Sequence, residues 1–125
     1  MSNPQWHARQ ALAILNIAEG EQLKKTYVSS YIALRSFEEI IDAYSAREGL
    51  HFHDKFTVTA WEERIEWMQI HRKDLLCDWK LLVELYSLIS TGRDTNNERS
   101  ISKMMKIVTR HLKMLIEDYD GHSVH

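Results

Sequence analysis

The sequence is poor in residues that cross-link or interrupt a chain. Its 125 residues include one cysteine, one proline and four glycines. The lone cysteine, Cys77, excludes an intramolecular disulfide, which predicts a reducing setting, the cytoplasm. It lies in an apolar run, so its side chain is predicted to be buried and unreactive. No apolar run of about 18 residues is present, so we predict no membrane-spanning helix.

An excess of charge of one sign is also missing. The chain has 16 Lys and Arg against 18 Asp and Glu, a formal net charge of −2. These totals do not indicate nucleic-acid binding by a global basic field, but they allow a local basic patch. Motifs for phosphate loops, zinc proteases, CxxC redox sites and serine hydrolases are absent. We therefore predict no cofactor, and the motifs do not favour an enzyme.

What the chain does have is the composition of a packed globular protein. Hydrophobic residues make up 44% and charged residues 27% of the sequence, as in ordinary folded domains. The length fits one domain, predicted over residues 1–121, with a frayed tail at residues 122–125. The proline and the glycines separate segments of helical length: Pro4, Gly20, Gly49, Gly92 and Gly121. The sequence therefore predicts an all-α fold, an up-down bundle of four to five helices.

Apolar residues that recur every three or four positions mark the first two helices. The first helix begins at Pro4, because proline is favoured at the first helical position. Gly20 either ends this helix or lies inside a longer one. The second helix ends near Gly49, and its Glu39 and Asp42 lie off the apolar stripe, where polar residues usually meet solvent.

Two capping boxes mark the starts of later helices. Thr59 with Glu62, and Thr95 with Glu98, have the spacing that lets each side chain satisfy the other residue's backbone N–H. The segment between the second helix and Thr59 is predicted to be a loop. The apolar stripe of the last helix is predicted to stop at Gly121.

The segment from residue 75 to 89 is apolar on almost every side. Such a helix is either central or covered by another subunit. The second alternative predicts a homodimer, with an interface that includes Leu81, Leu85 and Leu88. The polar run at residues 71–74 before it predicts a kink or a short turn.

A histidine-rich string, His51-Phe52-His53-Asp54, lies in the predicted loop. In an extended segment His51 and His53 point the same way, and two imidazoles with the Asp54 carboxylate are suitable ligands for zinc or a similar divalent metal. A closed site needs a further ligand. The nominal candidates are His71, Asp74 and Asp78.

Two long segments show a pattern typical of one family. Residues 8–50 read ARQALAILNIAEGEQLKKTYVSSYIALRSFEEIIDAYSAREGL, and residues 86–120 read YSLISTGRDTNNERSISKMMKIVTRHLKMLIEDYD. The first resembles the opening helical hairpin of HEPN domains, and the second resembles their polar turn and final helix. The residues that carry the first likeness are Tyr27, Ala33, Glu38, Ala43 and Gly49. The resemblance implies a helical, dimeric fold and, in some members, RNA cleavage.

RNA-cleaving HEPN proteins have an arginine and a later histidine with four to six residues between them. The stretch RDTNNER at residues 93–99, where the resemblance places the motif, contains no histidine. The spacing occurs elsewhere, at Arg47 with His53 and at Arg64 with His71. The first pair spans a helix end and a loop, where functional side chains are common. As catalytic residues, His53 would act as general acid or base, and Arg47 would stabilise charge on the phosphate without a metal.

Three functions follow from these observations. The first is a non-catalytic HEPN-like interaction module that acts as a homodimer or with a partner protein. The second is a HEPN-type protein of a toxin and antitoxin pair that cleaves RNA or binds a nucleotide. The third is a metal-binding helical bundle that uses His51, His53 and Asp54.

Overall fold

The structure is a computed structural model, and it describes residues 4–18, 27–52, 57–93 and 97–123. These residues form five helices and no strand: α1 (Pro4–Ala18), α2 (Tyr27–Ala46), α3 (Thr57–His71), α4 (Lys73–Ser90) and α5 (Asn97–Ser123). The prediction of an all-α bundle of four to five helices is confirmed. Across the described ranges, no helix is both long and apolar enough to cross a membrane.

The core is built around α2, which packs against α1, α4 and α5. Every residue from 39 to 46 is buried, so this half of α2 has no side that faces solvent. Glu39 and Asp42 are therefore buried too, although the sequence pattern placed them off the apolar stripe. The reason is that neighbouring helices cover the polar face of α2 as well as its apolar face.

Helix α4 packs against α2, α3 and α5. Its buried residues are Leu75, Leu76, Leu82 and Ile89. Contact with three helices explains why α4 is apolar over most of its circumference. Cys77, however, is exposed, so the prediction that it is buried is wrong. It lies on the part of the α4 circumference that these helices leave uncovered.

Helices α3 and α4 are separated by one residue. Arg72 leaves the helical conformation, with φ −143° and ψ 71°, and this confirms the predicted short turn. Its Nε and Nη2 donate to the two carboxylate oxygens of Asp74, each at 2.9 Å. This guanidinium lowers the pKa of Asp74. It also lies 4.1 Å from the ring centroid of Tyr44, whose pKa is raised by burial.

The helix ends differ from the sequence pattern by a few residues. Helix α3 begins at Thr57, so Thr59 lies inside its first turn and is not the cap. Helix α5 continues through Gly121 to Ser123, because a helical glycine costs only about 1 kcal/mol relative to alanine. The predicted stop at Gly121 is therefore wrong by two residues. Gly20 and Thr95 lie outside the described residues.

Candidate functional site

One face of α5 carries a row of basic side chains. Their positions advance by four, three, four and three residues: Arg99, Lys103, Lys106, Arg110 and Lys113. Because an α-helix has about 3.6 residues per turn, the row lies within an arc of about 80° and extends over about 21 Å. All of these side chains are exposed. We call this row the α5 basic face.

Three of the five cations of the α5 basic face have no counter-ion among the described residues. Helix α5 has no carboxylate between Glu98 and Glu117. Lys103, Lys106 and Lys113 form no ion pair with any residue that the structure describes. A groove of about 810 Å³ runs beside the row, and its described lining consists of Glu98, Ile101, Ser102, Met105, Lys106, Thr109, Arg110 and Lys113. The groove thus combines positive charge with hydroxyl donors and apolar surface.

Asp78 of α4 connects the basic face to the core. Its Oδ2 accepts a hydrogen bond from Nη2 of Arg110 at 2.5 Å, and it lies 2.5 Å from Nε2 of His111. His111 is buried, and its ring meets Phe37 edge-on with centroids 5.2 Å apart. The imidazole of His111 therefore does not reach a molecule bound on the basic face.

A second polar site is buried between α1 and α2. Nδ1 of His7 on α1 is hydrogen-bonded to Oε2 of Glu39 on α2. Asp42 lies one helical turn further along α2. All three residues are buried, and one ligand atom from each lies within 4.8 Å of the other two. We call His7, Glu39 and Asp42 the buried triad.

Two arginines surround the buried triad. Arg64 of α3 donates from Nε to Oδ1 of Asp42 at 2.8 Å and from Nη2 to Oδ2 at 2.9 Å. Its Nη1 lies 3.2 Å from Oε1 of Glu38. Arg35 pairs with Glu38 and lies 3.6 Å from Oε1 of Glu39. In this cluster the three carboxylates outnumber the two guanidiniums by one.

A cleft of about 490 Å³ leads to the buried triad. Its lining includes Trp61 and Trp79, whose rings stack with centroids 4.3 Å apart. Behind the lining, Trp79 also stacks on the buried Phe37, with centroids 6.2 Å apart. The lining also includes Glu39 and Asp42. The two carboxylates of the triad are thus reached from this cleft.

Comparison of the chain with family models, curated proteins and solved structures finds no match.

Of the two catalytic residues suggested by the HEPN resemblance, the structure describes only Arg47. Arg47 lies in the turn after α2, where its guanidinium is 5.1 Å from the ring centroid of Tyr44. Its Nη1 lies 3.7 Å from Oδ2 of Asp118. His53 lies outside the described residues, so the pairing of Arg47 with His53 stays a prediction.

The two residues of the other pair with this spacing differ in burial. Arg64 is buried and bonded to Asp42, whereas His71 is exposed near Trp67, with ring centroids 6.0 Å apart. The two side chains therefore share no site. Arg64 is an internal counter-ion.

The metal and interface residues inferred from the sequence are also only partly described. His51 is half-buried, while His53 and Asp54 lie outside the described residues. Leu81, Leu85 and Leu88 are half-buried on α4, and the first two pack against the core. The proposed metal site and the dimer interface thus stay predictions.

The α5 basic face and the buried triad were both missed by sequence reasoning. The basic face has a signal in the sequence, since its five positions repeat at helical spacing. The triad has no comparable signal, because His7 is 32 residues from Glu39 and an isolated histidine is uninformative. Only the packing of α1 on α2 reveals it.

Proposed function

We propose that this protein is a non-catalytic, HEPN-like interaction module that binds single-stranded RNA on the α5 basic face. The observation that carries this proposal is the alignment of five exposed basic residues on α5. A linear row of cations complements the linear row of phosphates along a nucleic-acid strand. Hydroxyls of Ser102 and Thr109 beside the row supply additional donors to phosphate and sugar.

An anionic membrane is a poorer partner for this surface. A helix that binds a membrane surface inserts its apolar face between the lipids. The apolar face of α5 is buried in the core through Met104, Val108, Leu112 and Leu115. The accessible surface of α5 is mainly its polar face, and this favours a partner recognised by charge.

The position of His111 argues against cleavage of RNA by this histidine. Metal-independent cleavage of RNA requires a general acid or base within hydrogen-bond reach of the substrate. His111, which follows Arg110 in the sequence, is buried and already bonded to Asp78. It therefore has no access to RNA on this face.

We also propose that the protein forms a homodimer in the cytoplasm. Leu81, Leu85 and Leu88 are only half-buried within one chain. A second copy seated on these leucines would complete their burial. Light scattering at micromolar concentration tests this assembly, and Leu88→Glu, at the leucine of this set that does not pack against the core, is expected to yield a monomer.

RNA binding is tested by fluorescence anisotropy with a labelled, unstructured 15-nucleotide RNA. The double variant Lys103→Ala/Lys106→Ala is expected to bind about tenfold more weakly than the wild type. The matched control is Lys73→Ala/Lys80→Ala, which removes the same charge from exposed positions on α4. The control is expected to bind like the wild type.

Two results would contradict the proposal. Equal loss of affinity in both double variants would show that binding depends on net charge and not on the α5 basic face. Cleavage of the RNA by the wild type and not by His53→Ala would show that the protein is a ribonuclease.

A further inference from the structure

We propose that the buried triad, His7, Glu39 and Asp42, is a binding site for one divalent transition-metal ion of the zinc class. The site differs from the loop string at residues 51–54 and does not depend on RNA binding. It joins α1 to α2, so a bound ion would act as a structural cross-link between these helices.

The donor set and its geometry fit such an ion. Imidazole nitrogen and carboxylate oxygen are both zinc ligands, and a tetrahedral site with three protein ligands is completed by water. Ligand atoms around tetrahedral zinc lie about 3.3 Å apart, while those of the triad lie within 4.8 Å of one another. Binding would therefore require the most distant ligand atoms to approach each other by up to about 1.5 Å.

The charge around the triad favours a bound cation. Glu38, Glu39 and Asp42 carry three negative charges, and Arg35 and Arg64 carry two positive charges. A net negative charge that is buried is costly unless a cation pairs with it. A metal ion bound to the imidazole nitrogen supplies that cation.

Arg64 supports this arrangement and does not block it. Each carboxylate oxygen has two lone pairs, and Arg64 uses one on each oxygen of Asp42. The remaining lone pairs are available to a metal. Hydrogen bonds from surrounding residues to a ligating carboxylate are usual in metal sites, because they orient the ligand.

The site also has an access route. The cleft lined by Trp61 and Trp79 reaches Glu39 and Asp42. An ion that enters this cleft therefore meets the two carboxylates of the triad first.

The first experiment measures zinc binding to protein that has no histidine tag and has been stripped with EDTA. Isothermal titration is expected to show one zinc per chain. At about a hundredfold excess over Kd, the Tm is expected to rise by about 10 °C. Mg²⁺, which prefers all-oxygen sites that retain water, is expected to leave the Tm unchanged.

The zinc affinity of three variants tests which histidine binds the ion. His7→Gln is expected to lose zinc affinity by at least about a hundredfold, together with the Tm shift. His71→Gln, which changes an exposed histidine of α3, is expected to bind like the wild type. The double variant His51→Gln/His53→Gln is also expected to bind like the wild type. Loss of zinc in this double variant with retention in His7→Gln would overturn the proposal, as would absence of stoichiometric zinc in the wild type.

X-ray absorption of the zinc-loaded wild type tests the ligands even when His7→Gln does not fold. The buried triad predicts one imidazole per zinc, with oxygen atoms as the other ligands. Two or more imidazoles would exclude the triad and indicate a site such as the loop string at residues 51–54.

Discussion

Arg64 of α3 and Asp42 of α2 form a buried, bidentate ion pair. The guanidinium donates through Nε and Nη2 to the two carboxylate oxygens at 2.8 and 2.9 Å. Each side chain is only 4% exposed. Because α2 and α3 share no other described ion pair except that of Arg64 with Glu38, this arginine is the main polar connection between the two helices.

Removal of one partner of this pair is expected to be strongly destabilising. In metal-free protein, Arg64→Met should lower the free energy of unfolding by about 3–5 kcal/mol, because Asp42 is then buried without its guanidinium partner. Asp42→Leu should cost less, because Arg64 keeps Glu38 as a partner. The double variant should lose less free energy of unfolding than the two single variants lose in sum. Urea unfolding checks this, and additive losses would show that the two groups do not interact.

The Asp74 carboxylate is expected to make stability depend on pH in the acid range. Arg72 lowers the pKa of Asp74 in the folded state. The stabilisation is therefore fully present above the pKa of an unfolded aspartate, about 3.9, and is lost as the pH falls through the lower folded value. Since the Asp74 side chain is 51% exposed, the effect should be at most about 1 kcal/mol.

Urea midpoints at several pH values between 6 and 3 test this expectation. Asp74→Asn should be less stable than the wild type at pH 6, and the difference should shrink at pH 3. Glu84→Gln, at another exposed position of α4, serves as the control. A difference for Asp74→Asn that grows as the pH falls would contradict the assigned role of Arg72.

Glycine is expected to be required at position 49 because of its backbone conformation, and not because space for a side chain is lacking. Its φ is +79°, and a β-carbon added there would meet nothing within 4 Å. Gly49→Ala should therefore cost about 1 kcal/mol, because an L-residue is strained at positive φ. Gly49→Asn should cost less, since asparagine tolerates this region. Thermal unfolding of both variants tests this prediction. A Gly49→Ala variant as stable as the wild type would exclude backbone strain at this position.

Asp78 is expected to weaken RNA binding in the wild type. Its carboxylate is bonded to Arg110 on the α5 basic face, so Asp78→Asn should raise affinity several-fold at low salt by removing an opposing charge. Glu84→Gln makes the same change of charge elsewhere on α4. The affinity of each variant is measured with the same labelled RNA, and an equal gain in both would point to net charge alone.

The helices were predictable from the sequence, whereas the polar interior was not. The spacing of apolar residues and the break before residue 75 correspond to five observed helices and the short turn at Arg72. Boundaries were less accurate, because capping patterns and glycines indicate helix ends only to within a few residues. The apolar neighbours of Cys77 in the sequence predict a core position, yet its own position on α4 faces solvent.

The row of basic residues on α5 is a property of the sequence itself, since a helix at residues 97–123 is enough to align them. The tertiary structure alone decided that Glu39, Asp42 and Arg64 are buried. The periodicity of apolar residues indicates which face of a helix is polar, but it does not indicate whether another helix covers that face. Helices α1 and α3 cover α2 there with His7 and Arg64, and this long-range packing creates the buried triad and its counter-ions.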